Sequence, residues 1–523
     1  MDAVQMFELL IAMLFAVIAL HWLAHRLRLP PAVALIAGGT ALASIPGLPY
    51  IKLDPELVLV IFLPPLLMDG AWFIELRHLR RHLVGILSLA VGAVMFTTLV
   101  VAVVTHWLIP ALPWASCAAL GAIVSPPDAV SARAILQRVR LPKRLSTLLE
   151  GESLLNDATG LVLFRFAIVA TAGSFSVTDA LGDFVMLALG GAAIGAACAG
   201  LWVIVAKRLT DEYLVIATSV LLCWATYIAA DSAHVSGVIA TVVCGLICGW
   251  YQHRVFSAAV RLRGTSFWTV MVFLLEASVF MLIGSSLREL IGRIGVAVVF
   301  RQMAPAILII VLAMTAARFV WVFASDGITA LLRRPGRIET MGWRASTVLS
   351  WAGMRGVVTL AVALSLPDDI SGRDFLMVAS FAVILVTVLV QGTTLGPLIR
   401  WLRPPEAGTT QAPLNMSQAE VAMARAQVKV VEALAYDGGK LVHPQLLERY
   451  QRRAAITENY EGKEEEMQPR LQAHFDLVLL AVNAARQELL RLHSEGQIDD
   501  RVLHELERDL DLEELGAISA KTT

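Results

Sequence analysis

The sequence predicts an all-α membrane protein of about thirteen transmembrane helices, in two inverted six-helix repeats with broken crossing helices, followed by a C-terminal cytosolic helical domain. Three observations carry this. The 523 residues are 57% hydrophobic and only 16% charged, with a mean hydropathy of +0.70, against roughly 45–50% apolar and about 25% charged residues in soluble domains. The apolar residues come in windows of about 20, enough helix to cross about 30 Å of hydrocarbon, and no strand alternation competes with them. The basic residues between windows alternate in density from one connection to the next.

The windows centre on residues 6–24, 32–46, 55–74, 83–108, 114–137, 147–170, 179–206, 213–230, 235–251, 267–287, 303–325, 345–366 and 374–399. The second is short and Gly-rich, as a tilted or partly re-entrant segment would be. The first has no basic stretch before it and no small-residue cleavage site after it, so it reads as a retained helix and not a signal peptide. With the N-terminus outside, the odd-numbered connections and the residues after the last window hold 20 Lys and Arg. The even-numbered ones hold 5: Lys52, Arg288, Arg293, Arg301 and Arg373. A miscounted helix in the middle would destroy that split, which places the N-terminus outside and the tail in the cytoplasm of a cell inner membrane.

Residues 1–404 form the predicted membrane domain and 405–523 the tail. The tail carries 13 basic against 21 acidic residues, where the preceding part carries 29 against 22. It opens on the linker-like PPEAGTTQAP, offers Ser417 as a helix cap, and shows helical apolar spacing from Leu471 to Leu492. The acidic run Asp499 to Glu514 reads as a solvated helical face. The tail is expected to be an accessory domain, regulatory or supporting a homodimer. Cys117, Cys198, Cys223, Cys244 and Cys248 all fall in apolar runs as small packing residues, and none pairs with a His in a metal-ligand pattern. No Gly-rich phosphate cradle is present, so no nucleotide, nucleic acid or cofactor is expected as a partner beyond membrane lipid.

Ionisable groups inside a span cost a few kcal/mol each and are functional candidates by default. The fifth window reads GAIVSPPDAVSARAIL. Pro126 and Pro127 remove two backbone donors, and Pro126 holds Ser125 away from helical geometry, so the helix should break beside Asp128. A break in mid-membrane exposes carbonyls and half-helix ends, from which cation sites are built. In the sixth window, LLEGESLLNDATGLVLF, Ser153, Asn156 and Asp157 share a helix face with Glu152 on its flank. These are the oxygen ligands that hard cations prefer. Acids this close in a low dielectric cannot all stay ionised without a cation or an Arg nearby. The alternative is a buried polar network that only joins helices.

Arg318 and Arg355 also lie within apolar runs, too deep to snorkel, so each should pair with a carboxylate or with carbonyls at a helix break. Gly353 and Gly356 around Arg355 permit a second unwound crossing. The two breaks fall in windows five and twelve. An odd offset makes corresponding helices antiparallel, as in an inverted repeat of windows 1–6 and 8–13.

SPPDAV, GESLLND at 151–157, HVSGVIATVVCGL at 234–246 and GMRGVV at 353–358 together resemble the cation/proton antiporter 1 family over roughly residues 10–400. The resemblance implies a secondary antiporter and not an enzyme. It places the family's Asn-Asp pair on Asn156 and Asp157, its unwound-helix aspartate on Asp128, its structural ion pair on Glu152 and Arg318, and its second-crossing arginine on Arg355. The acid of its E-x-x-x-F-x-x-x-G run falls on Glu276. Some members carry a Thr where this chain has Pro127, so Ser125 or a backbone carbonyl would have to substitute as ligand, and others carry Asn in place of Glu276. An Asn-Asp pair is associated in the family with electroneutral exchange. The expected function is therefore exchange of Na⁺, with Li⁺ also accepted, for H⁺ at Asp157, Asp128, Ser153 and Asn156. The alternatives are a K⁺/H⁺ antiporter, a cation channel, or an intramembrane aspartyl protease using Asp128 and Asp157; the last lacks the Gly-x-Gly-Asp context.

Overall fold

The computed structural model describes residues 3–27, 31–44, 55–74, 76–128, 141–171, 177–331, 341–404, 416–437, 440–460 and 464–522. Contacts divide the chain into Met1–Ala407 and Gly408–Thr523.

The first unit is helical throughout its described residues. Its principal helices are α1 (Ala3–Leu27), α2 (Pro31–Leu42), α3 (Pro55–Trp72), α4 (Leu83–Leu108), α5 (Trp114–Val124), α6 (Lys143–Thr171), α7 (Val177–Ala206), α8 (Glu212–Ser232), α9 (Gly237–Val255), α10 (Ala258–Ile294), α11 (Val296–Leu331), α12 (Gly342–Trp351), α13 (Val357–Leu364) and α14 (Arg373–Leu402). Seven of the described helices are long and apolar enough to cross a membrane unaided. Every predicted window falls on helix, with two qualifications that matter for the site. The fifth is helical only to Val124 before its remainder leaves the described residues at 129, and the twelfth is two short helices, α12 and α13. Arg28, Lys52, Arg138, Arg140, Arg333, Arg334 and Arg337 of the charge pattern also lie outside the described residues.

Local chemistry sets the starts of three helices in a row. Asp211 accepts from the amides of Tyr213 and Leu214 to open α8, Ser236 from Ile239 to open α9, and Ser257 from Val260 to open α10. Each satisfies donors that a helix N-terminus leaves unpaired. Gly295, at φ 94°, ends α10 in a conformation that a side chain would strain.

Without a hydrophobic drive between helices in lipid, close backbone approach has to supply the packing. Where α2 crosses α10, a Cβ on Gly39 would lie 2.0 Å from the Met281 carbonyl oxygen, and one on Gly284 would lie 2.1 Å from that of Ile36. The outward faces are apolar: Leu99, Val103 and Trp107 on α4, and Leu189, Leu201 and Ile204 on α7, are all exposed. Helices α4, α11 and α14 each contain a π-helical turn, at Ser88–Ala93, Val299–Met303 and Thr387–Gln391. In α4 the indole of Trp321 donates to the Ser88 carbonyl at 2.9 Å, pairing a backbone group beside the irregular turn.

The second unit contains α15 (Met416–Leu434), a two-residue antiparallel pairing of β1 (Tyr436–Asp437) with β2 (Lys440–Leu441), α16 (Pro444–Tyr460), α17 (Glu464–Ser494) and α18 (Asp500–Thr522). Arg486 of α17 bridges Asp511 and Glu514 of α18 at 2.6 and 2.7 Å. The Glu514 hydrogen bond raises the Arg486 pKa above its usual value.

Candidate functional site

Two proline pairs show why the break falls where it does. Pro64 and Pro65 sit inside α3, which nevertheless continues. The carbonyl that Pro65 deprives of a partner, Ile61, is met by the Trp224 indole at 3.2 Å. Pro126 and Pro127 end α5 instead, and the carbonyls left open at the break are taken by side chains from elsewhere in the chain. Arg355 donates from Nε to the Val124 carbonyl at 2.7 Å and from Nη2 to that of Ser125 at 3.1 Å. Asn156 donates from Nδ2 to the Pro127 carbonyl at 2.6 Å. A guanidinium at a helix C-terminus satisfies orphan carbonyls and offsets the negative end of the dipole.

The second unwound segment, 352–356, crosses the first. The Asp128 amide donates to the Met354 carbonyl at 2.7 Å, a backbone bond between the two breaks. The Arg355 amide donates to Oγ1 of Thr387 at 3.2 Å, and its Nη1 donates to the Gly353 carbonyl. Glycine is required here by the crossing itself: a Cβ on Gly356 would lie 1.7 Å from Oδ2 of Asp128. The Asp128 carboxylate therefore rests against the first turn of α13, at its positive end. On the expected exchange at Asp128, Gly356→Ala should displace its carboxylate and cut cation-driven proton movement by on the order of a hundredfold, the loss that a misplacement of about 1 Å brings, with the protein still folded. Proton flux in proteoliposomes measures it.

Behind the crossing, Arg318 and Glu152 meet. Nη1 and Nη2 donate to the two carboxylate oxygens at 2.6 and 2.8 Å, and Nη2 also reaches the Leu349 carbonyl near the end of α12 at 3.2 Å. The side chains are 4% and 2% exposed. Both arginines thus end on helix-end carbonyls, Arg355 with α5 and Arg318 with α12.

Asp128, Glu150, Ser153 and Asp157 line one cavity of ≈ 30 Å³, with Leu63, Leu67 and Val358 among its apolar walls. That is room for about two water-sized particles. Asp157 is buried at 7% exposure. The remaining predicted site residues lie beside this cavity or away from it. Asn156 is fully buried and does not line it; its amide holds the Pro127 carbonyl, while its Oδ1 has no hydrogen-bond partner among the described residues. The Ser125 hydroxyl donates to the Gly121 carbonyl at 2.6 Å and accepts from Thr98 at 3.1 Å. Glu276 is half-buried on α10 and outside the cavity lining.

Two polar residues of interest escape the sequence reading. Thr387 supports the second break from a π-helical turn that no local pattern announces. Asp69, buried in α3, lines a separate cavity of ≈ 20 Å³ with Ser219, Gln252 and Trp268. Its signal was present, as an acid within an apolar run, the same feature that marks Asp128 and Asp157.

Two unwound segments meeting beside buried carboxylates, in a bundle of apolar helices, are the arrangement from which secondary transporters build their ion sites. The transmembrane sodium/hydrogen exchanger family matches residues 10–401, and the chain belongs to that family: it is a multi-pass cation/proton antiporter, not an enzyme. It is 32% identical to an uncharacterised Na⁺/H⁺ exchanger of Mycobacterium tuberculosis over 97% of this chain and 95% of that one. It is 29% identical to a sodium, potassium, lithium and rubidium/H⁺ antiporter of Bacillus pumilus, over 94% of this chain and 75% of the relative. The fold is similar to that of the sodium proton antiporter MjNhaP1 from Methanocaldococcus jannaschii, with a TM-score of 0.62 at 20% identity over 77% of this chain and 99% of the other.

Proposed function

We propose that the chain exchanges Na⁺, and also Li⁺, for H⁺ one for one, with Asp157 holding either the cation or the proton and never both. The observation that carries this reading is the shared cavity of Asp157, Asp128 and Ser153. Asp128 lies against the positive end of α13, which offsets its charge, whereas Asp157, buried and sharing its cavity with the Asp128 carboxylate, must be neutralised by a bound cation or a proton. Ser153 adds a hydroxyl ligand. Asn156 acts as a support for the Pro127 carbonyl, and Glu152 with Arg318 as a structural pair. Exchange follows because one carboxylate cannot serve both ions at once. One inverted repeat rocking against the other then carries the loaded site between the two sides of the membrane. The charge distribution supports an inner-membrane protein with its N-terminus outside and residues 405–523 in the cytoplasm, and a homodimer is the proposed assembly.

K⁺/H⁺ exchange is the second reading, favoured by the name of the Bacillus pumilus relative, which includes potassium. Sealed proteoliposomes separate the two. Proton movement out of the lumen is followed while Na⁺, Li⁺ or K⁺ is added outside. Na⁺ and Li⁺ are expected to drive it more strongly than K⁺, because a small hard cation repays desolvation of an all-oxygen site better. K⁺ matching Na⁺ at every pH would refute the selectivity, and cation entry without proton counterflow would mark a channel. Rates unaffected by clamping the membrane potential are expected for one-for-one exchange.

A further inference from the structure

The end of α1 and the flank of α10 enclose a groove that ion exchange does not use. Ile18, His21, Trp22, His25 and Arg26 of α1 and Phe273 of α10 line a cavity of ≈ 550 Å³, and no carboxylate is among them. This is the size range of a site for an organic ligand, far larger than the ion cavity.

Its chemistry is graded along one helix. His21, His25 and Arg26, spaced i, i+4, i+5, share a face. The His21 ring stands edge-on to Phe273, with centroids 4.7 Å apart. The Arg26 guanidinium lies 5.4 Å from the centre of the Trp22 ring. An Arg and a Trp together at a helix end sit where headgroups meet hydrocarbon. Farther into the membrane α1 presents Ile18 at 57% and Phe15 at 70% exposure. A cationic end thus runs into an exposed apolar strip.

We infer that the groove holds an anionic phospholipid, its phosphate bound by Arg26 and His25 and its acyl chains lying along Ile18 and Phe15. A lipid fits better than a free anion, which would gain nothing from the apolar strip. Basic pockets at this level of a membrane protein are where anionic headgroups gain most, each basic residue contributing about fivefold in affinity.

The test reads lipid retention and so stands apart from the exchange mechanism. Purified full-length protein is titrated in detergent with phosphatidylglycerol, or with phosphatidylcholine of the same acyl chains, and bound lipid is counted by native mass spectrometry. Phosphatidylglycerol is expected to be retained over phosphatidylcholine. Retention should fall about fivefold in Arg26→Gln, fall further in the triple His21→Gln, His25→Gln, Arg26→Gln variant, and return in Arg26→Lys. Arg26 and His25 are exposed, and unfolding in lipid-free detergent verifies that each variant keeps its fold. Equal retention of the two lipids, or unchanged phosphatidylglycerol retention in the triple variant, overturns the proposal. So does a loss of dimer mass in the triple variant with lipid retention unchanged, which would assign the groove to a second copy of the chain.

Discussion

Asp157→Asn is expected to abolish cation-driven proton movement while leaving a folded, extractable protein. The substitution keeps the size and shape of the side chain but turns one acceptor oxygen into an NH2 donor and removes the charge that a cation and a proton share. Desolvating a bare cation in a cavity of ≈ 30 Å³ without that charge costs far more than a hydroxyl from Ser153 returns. Asp128→Asn should also abolish exchange, by a different route. Its backbone bond to Met354 survives, but the charge facing the first turn of α13 is lost, and with it the second carboxylate of the cavity. Folding is checked by monodispersity after extraction. Full exchange in Asp157→Asn would sink the mechanism.

The second large effect concerns stability. Glu152→Gln or Arg318→Met alone should cost about 3–5 kcal/mol, because each leaves a buried charge without its partner. The double variant should recover expression and thermal stability relative to either single one. Recovery will be partial: the Leu349 carbonyl, which Arg318 also meets at 3.2 Å, loses its donor even when no charge is stranded. A double variant no better than the worse single one would show that the pair is not what holds these helices.

Much of this site was legible in the sequence because the membrane makes polarity conspicuous. Asp128, Glu152, Asp157, Arg318 and Arg355 stand out in apolar runs for a physical reason: each must be compensated. The proline pair gave the first break, and Gly353 and Gly356 gave the second. What periodicity could not supply was the partner of each group. Of the two kinds of partner open to Arg355, a carboxylate or helix-break carbonyls, it takes the carbonyls of Val124 and Ser125. Asn156 faces the same side of α6 as Asp157, yet a rotation of one residue turns its amide to Pro127 and out of the cavity. The contrast between Pro64–Pro65, carried within a helix, and Pro126–Pro127, which ends one, turns on long-range donors such as Trp224 that no local window contains.

The shared carboxylate is the centre of the account, and the apparent Na⁺ affinity as a function of pH tests it most directly. If a proton and Na⁺ compete for Asp157, the Na⁺ concentration giving half-maximal proton movement should rise about tenfold for each unit of pH below the site's pKa and level off above it. An apparent affinity that stays constant across the same pH range would contradict the shared site, whatever ion the protein carries.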